Sequence, residues 1–270
     1  MPDLSPAAFS EVLSGDERPL IVGGQAVNIW AELYSPDVPE LAGLGPFTSK
    51  DADIYGTREL ALSIARRSGW DCEIISDANS TLAATLTKKP SLAGAEPLVV
   101  EVLGEVNGLT EQDLRIETSV QLEDGNEYRI PAPAVLLKAK LYNMVSLFIR
   151  ERPQDLQQTR MLMHVVPQRL NDLFSKTRDG QVSEENLFEA VEYTKRVVLA
   201  GFAENAARPY HLDFRAVFPR SLRFSGPAEL RTSIADADAR LDAIYGVDWG
   251  RPKTRPLPTP GQRLRGPELG

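Results

Sequence analysis

The chain has a single cysteine, Cys72, and two histidines, His164 and His211. One thiol closes no intrachain disulfide and builds no cysteine-rich zinc site, and a reducing cytoplasm is its simplest setting. The histidines stand apart, without His-Glu-x-x-His or cysteine spacing, so zinc hydrolysis has no support. No apolar run approaches the ~20 residues of a membrane span. The first residues, with Asp3 and Pro6 and no basic-then-apolar order, do not read as a secretory signal. A Gly-Lys-Ser or Gly-Lys-Thr phosphate loop, a third glycine completing a dinucleotide fingerprint, and a Gly-x-Ser-x-Gly elbow are all missing. No internal repeat is visible.

Positive charge is also short. Thirty Lys and Arg face 38 Asp and Glu, a net charge of −8. Duplex binding draws most of its affinity from cations on phosphates, so this balance argues against a chain coated in nucleic acid, while leaving room for one basic groove. The cations cluster late: Arg251, Lys253, Arg255, Arg263 and Arg265 stand against Glu268 alone, among Pro252, Pro256, Pro258, Pro260 and Pro267. That composition reads as a disordered basic tail over 250–270.

What remains is ordinary globular composition, 42% hydrophobic over 270 residues. A length of about 100 to 200 residues per domain favours two domains. Ser5-Pro6 predicts a short helix ending near Gly15, Pro19 to Val22 a buried strand, and Ala26, Ile29, Trp30 and Leu33 a helix over Gln25 to Tyr34. A loop over Ser35 to Gly45 follows, then a strand ending at Ile54. Gly56-Thr57 caps a helix that turns Leu60, Leu62, Ile64 and Ala65 inward and ends at Gly69. Further strands are expected over Cys72 to Ile75, Thr81 to Thr87, Pro97 to Leu103, Leu114 to Leu122 and Glu127 to Ile130, the last two around the turn Asp124-Gly125-Asn126.

At Pro131 and Pro133 the pattern becomes helical, with Leu137, Leu141, Met144, Val145 and Phe148 in one stripe. Pro153 opens a second helix that Pro167 kinks or ends, and Ser183 a third reaching about Ala203. Phe214 to Phe224 reads as mixed and extended, and Pro227 to Tyr245 as the last helix. The division is therefore a sheet domain over 1–130, a helical domain over 131–249 and the tail.

Two motifs carry chemistry. Gly23-Gly24 sits at a helix N-terminus, where free N–H groups and the helix dipole favour phosphate. Thr48-Ser-Lys-Asp-Ala-Asp-Ile54 lies on a strand, where a period of two puts Asp51 and Asp53 on one face and Ala52 and Ile54 on the other. Two carboxylates so placed suit a hard divalent cation, Mg²⁺ or Mn²⁺; edge-strand solubility charges are the plainer alternative. Glu101 is an acid on a mostly apolar strand. Lys138 and Lys140 lie ~200° apart around their helix, so at most one faces a given cleft.

The segment "VGGQAVNIW…FTSKDADIYG" resembles the DNA polymerase β-type nucleotidyltransferases, and within them the AbiEii / MenT-like toxin branch. The resemblance covers the first half of the chain well and the second loosely. It implies an α/β (α+β) fold, a mixed sheet flanked by helices and followed by a helical domain with the cleft between them. It further implies metal ligands at Asp51, Asp53 and Glu101, the last in place of the usual Asp. Gly23, Gly24, Thr48, Ser49 and Asp155 would bind nucleotide, with Lys140, which directly precedes Leu141, on phosphate. Loop-capping roles fit Thr48 and Ser49 equally well. Gln158 stands where the resembling proteins carry a second acid. The activity so implied is transfer of a nucleoside monophosphate from an NTP to an acceptor hydroxyl on tRNA or another translation component, by a toxin countered by an antitoxin. A small antibiotic-type acceptor, or a catalytically silent nucleotide-binding module, are the alternatives.

Overall fold

The computed structural model describes residues 4–13, 15–49, 51–77, 79–90, 96–123, 125–146 and 153–246; the expected tail over 250–270 lies outside them, as do Asp124 and Phe148. In chain order, a 3₁₀ turn (Pro6–Phe9) leads into α1 (Ser10–Leu13), β1 (Leu20–Val22), α2 (Gly23–Tyr34), α3 (Pro39–Ala42), β2 (Ala52–Tyr55), α4 (Arg58–Ser68), β3 (Asp71–Ile74), β4 (Leu82–Lys88) and β5 (Leu98–Leu103). There follow α5 (Glu111–Leu114), β6 (Glu117–Gln121), β7 (Glu127–Pro131), α6 (Pro133–Ser146), α7 (Pro153–Arg178), α8 (Glu184–Val198), α9 (Gly201–Tyr210), a second 3₁₀ turn (Phe214–Val217), α10 (Arg220–Ser225) and α11 (Ala228–Tyr245).

The strands form one mixed α/β sheet in the order β3-β4-β5-β2-β1-β7-β6. At its centre β2 runs antiparallel to β1 and parallel to β5, which sets Val22 opposite Asp53 and Asp53 opposite Glu101. Alternation then divides the faces. Ala52, Ile54, Val100 and Val102 are fully buried in the main core, and Asp53, Glu101 and Leu103 share the other face. A small second cluster of Leu20, Val22 and Leu114 covers part of that face.

The chain crosses from strand to helix without a loop at Val22-Gly23. Gly23 takes φ +63, a left-handed conformation that costs a side-chain-bearing residue ~1–2 kcal/mol, so glycine is what lets α2 start directly from β1. Trp30 of α2 is fully buried and donates from Nε1 to the Pro131 carbonyl at 2.9 Å; Tyr34, stacked on it, donates to Asp172 of α7 at 2.6 Å. Burying such a side chain contributes about 3 kcal/mol, and it locks the site's first helix to the helical layer. The buried cluster runs without interruption from Phe9 to Tyr245, so the change from sheet to helices at Pro131 divides architecture but not the core.

Several local readings are corrected. Leu62 is 37% exposed, and Ala61 joins the expected Ile64 in the buried stripe of α4. The expected strand from Leu114 begins with α5, because Thr110 and Asp113 form a reciprocal capping box there. Pro167 does not end its helix: α7 continues to Arg178. The third helix stops at Val198, and α9 restarts at Gly201. Phe214 to Phe224 is mixed, as expected, but mostly helical: the 3₁₀ turn and α10 flank extended Phe218 and Pro219, with Phe214, Val217 and Leu222 packed into the core. No helix among the described residues is long and apolar enough to cross a membrane.

Candidate functional site

Four elements meet where β1 becomes α2. The N-terminus of α2 brings Gly23 and Gly24, β2 with the residues before it brings Ser49, Asp51 and Asp53, and facing turns of α6 and α7 bring Lys140, Asn143, Asp155 and Gln158. Together with Val22, Leu103, Leu136 and the loop residues Glu105, Val106, Asn107 and Leu109 they line a cavity of about 710 Å³. A larger one, about 780 Å³, lies among β6, α7 and α8 with a mainly apolar lining that includes Val166, Leu170 and Leu173. Chemistry rather than size marks the first as the site, because its polar groups converge from separate elements.

Gly23 and Asp53 fit together closely. A Cβ on Gly23 would fall 1.8 Å from Asp53 Oδ2, so the missing side chain is the space the carboxylate fills. Asp53 also accepts a hydrogen bond from the Gly24 N–H. Burial, then the neighbouring charges of Asp51 and Glu101, push the Asp53 carboxyl up to about 7, although Lys140 and the Gly24 N–H act against the shift. Burial and Asp51 likewise raise Glu101. Asp51 thus sits close enough to disfavour the ionisation of both Asp53 and Glu101.

Lys140 is buried and forms an ion pair with Asp155 at 3.1 Å. Lys138, on the other side of α6, is held instead by Asp113 at 2.7 Å. Asp113 also accepts from Tyr193 Oη at 2.6 Å and from the Thr110 N–H and hydroxyl, a polar knot tying α5, α6 and α8 together. The two lysines therefore divide between cleft and scaffold.

Of the residues singled out from sequence, Gly23, Gly24, Ser49, Asp51, Asp53, Lys140 and Asp155 line the cavity. Ser49 is buried, with its hydroxyl 3.4 Å from Asp51 Oδ1. Thr48 is not among the lining residues, and its N–H donates to the Pro46 carbonyl. Glu101 is not in the lining either; it stands beside Asp53 on the adjacent strand. Glu105, Asn107, Asn143 and Thr81 also contribute to the wall. Asn143 could be found from the spacing that puts it on the Lys140 face of α6; Thr81, Glu105 and Asn107 lie in loops, where no periodicity reports direction.

The donor chemistry suits a hard divalent cation, since oxygen ligands and mutual carboxylate repulsion both favour one. Among the described residues no three such side chains already converge as a chelating group. Asp51 and Asp53 are the donors that the β2 side brings to the cavity, with Glu101 adding charge from the next strand. Among the described lining residues Lys140 is the one cation, against Asp51, Asp53, Glu105 and Asp155. A polyanionic ligand entering this lining needs compensating positive charge.

No family model matches the chain, and no curated protein is significantly similar to it.

Proposed function

We propose that the chain is a metal-dependent nucleotidyltransferase that moves a nucleoside monophosphate from an NTP to an acceptor hydroxyl. The observation that carries this reading is the Gly23-Asp53 interlock: a helix N-terminus and a set of mutually repelling carboxylates share one cavity wall, opposite a buried lysine. Phosphate favours the first, divalent cations the second, and only a ligand combining both uses the whole cavity.

In this reading Asp51 and Asp53, supported by Glu101, would hold Mg²⁺ or Mn²⁺. A divalent cation bound there supplies charge neutralisation for the polyphosphate and acidifies the acceptor hydroxyl. The chain's own groups do the remaining work. The first turn of α2 orients phosphate oxygens by its N–H groups, Lys140 adds a point charge on the leaving side, and α6 with the start of α7 excludes water above the sheet. Asp155 keeps Lys140 extended into the cleft before the nucleotide arrives.

The resemblance to AbiEii / MenT-like toxins supports tRNA or another translation component as acceptor, a partner antitoxin and a cytoplasmic setting. The acid-rich lining favours a second reading, a small hydroxyl-bearing acceptor of neutral or cationic character. Incubating the protein with labelled NTPs and Mg²⁺, first with total RNA and then with small hydroxyl compounds, separates the two by which product carries label. NTP binding without transfer to any acceptor would leave a silent binding module, and failure to bind any NTP with Mg²⁺ or Mn²⁺ would refute the reading.

A further inference from the structure

Gln158 is 3% exposed and lines the cavity from α7, yet its Oε1 is enclosed with no hydrogen-bond partner. An enclosed acceptor left unpaired is destabilising, and such groups are rare in folded proteins unless another requirement keeps them in place. The other end of the amide supplies that requirement. Its Nε2 lies 2.8 Å from where a Cβ on Gly24 would stand, and Ser49 Oγ lies 3.1 Å from the same point. A single methyl at residue 24 would collide with the amide and crowd the hydroxyl, so glycine here lets two hydrogen-bonding side chains sit against the first turn of α2.

The charge balance says what such a subsite accepts. Lys140 and Asp155 form a neutral pair beside it. A carboxylate at position 158 would add to the negative charge that Asp51 and Asp53 already bring against the Ser49 hydroxyl and the Gly24 N–H, and the amide adds none while offering an N–H next to a helix N-terminus. Neutral donors at that terminus favour an anion, whereas an acid would repel one.

We propose that Gln158 is a specificity-determining residue that holds the polyphosphate end of the nucleotide, donating from Nε2 alongside the Ser49 hydroxyl and the start of α2. This rests on the nucleotidyltransferase reading and adds to it the residue that discriminates triphosphates from monophosphates. Because its oxygen is unpaired, Gln158 is kept at a cost to the ligand-free protein. Removing the amide should therefore stabilise the fold and weaken the ligand, opposite effects that a structural glutamine would not show.

The experiment measures binding of inorganic tripolyphosphate, of a non-hydrolysable NTP and of the matching nucleoside monophosphate to the full chain with Mg²⁺, alongside thermal melting. Gln158→Met keeps side-chain length without the amide, and Gln158→Glu keeps the shape and adds charge. Both are expected to weaken tripolyphosphate and the NTP about tenfold or more, with the monophosphate unchanged, and Gln158→Met to melt no lower than wild type. With acceptor present, KM for the NTP should rise at nearly constant kcat. Wild-type tripolyphosphate affinity in both variants, or equal weakening of the monophosphate, would overturn the assignment while leaving the nucleotide reading standing. A wild-type protein that binds neither tripolyphosphate nor NTP would remove both.

Discussion

The carboxylate of Asp53 occupies the volume that a side chain on Gly23 would need, with Oδ2 1.8 Å from the position of the absent Cβ. One residue opens the helix and the other belongs to the neighbouring strand, so helix start and acid placement are fixed by a single contact. Gly23→Ala meets both a left-handed backbone and this clash. It should lower stability by roughly 1–3 kcal/mol and displace Asp53, abolishing divalent-cation binding. A variant that melts like wild type and still gains stability from Mg²⁺ would show that the contact is not obligatory.

Asp53 should make the metal-free protein sensitive to rising pH. Its carboxyl is pushed from 3.8 up to about 7 by burial and by Asp51 and Glu101, while Lys140 and the Gly24 N–H oppose the shift. The folded state therefore binds this proton more tightly than the unfolded one. The stability it contributes is full below about pH 4 and is lost as pH rises towards 7. Asp53→Asn should match wild type near the acid end of this window and exceed it at pH 8, by an amount on the order of 3 kcal/mol or less. Melting curves in chelator at the two ends test this, and an equal difference at both would sink it. Mg²⁺ should narrow the gap by stabilising wild type alone.

Lys140→Ala is expected to lower both stability and NTP affinity, because it leaves buried Asp155 without the lysine and the phosphates without their cation. Loss of this ion pair should cost about 1–3 kcal/mol, since Asp155 keeps a further interaction. Adding Asp155→Asn should recover most of the stability and none of the affinity. Recovery of both would mean that Lys140 acts only as Asp155's partner.

Lys138→Ala should act differently. Its partner Asp113 is held well below the usual carboxylate range, at about 2, because hydrogen bonds from Lys138, Tyr193 and Thr110 outweigh the opposing effect of burial. The stability gained is present above about pH 4 and is lost as pH falls towards 2. Lys138→Ala is expected to destabilise by about 1–3 kcal/mol, steepen acid unfolding less than wild type does, and leave NTP affinity unchanged. A loss of affinity without loss of stability would place Lys138 in the cleft instead.

The helix boundaries most legible in the sequence are those fixed by local chemistry. Thr57 accepts from the Leu60 N–H and Gly69 takes φ +72, so both ends of α4 follow from the residues at them. The alternation that separates Asp53 from Ile54 is equally local. Legibility fails where partners are distant in sequence. The helical turns on either side of Phe218-Pro219 depend on core packing, and α7 continues through Pro167 because its neighbours bury Val165, Val166 and Leu170. Of the site, the shared position of Gly23, Asp51 and Asp53 follows from spacing. Which of Lys138 and Lys140 faces it depends on how α6 is rotated. Glu105 and Thr81 enter through loops that fold back, and the unpaired oxygen of Gln158 is invisible without coordinates.

Pro167 gives α7 a mechanical property. A helix of 26 residues spans about 39 Å, and this one carries Asp155 and Gln158 at one end while its far half packs under the bundle. Proline has no N–H to offer the carbonyl four residues earlier, so the backbone ladder is broken at Met163 and bending stiffness is lowest there. The three turns of α7 that carry Asp155 and Gln158 are thus joined to the rest of the helix across one missing backbone hydrogen bond, and their place beside the cavity is held by the burial of Thr159, Met161 and Leu162.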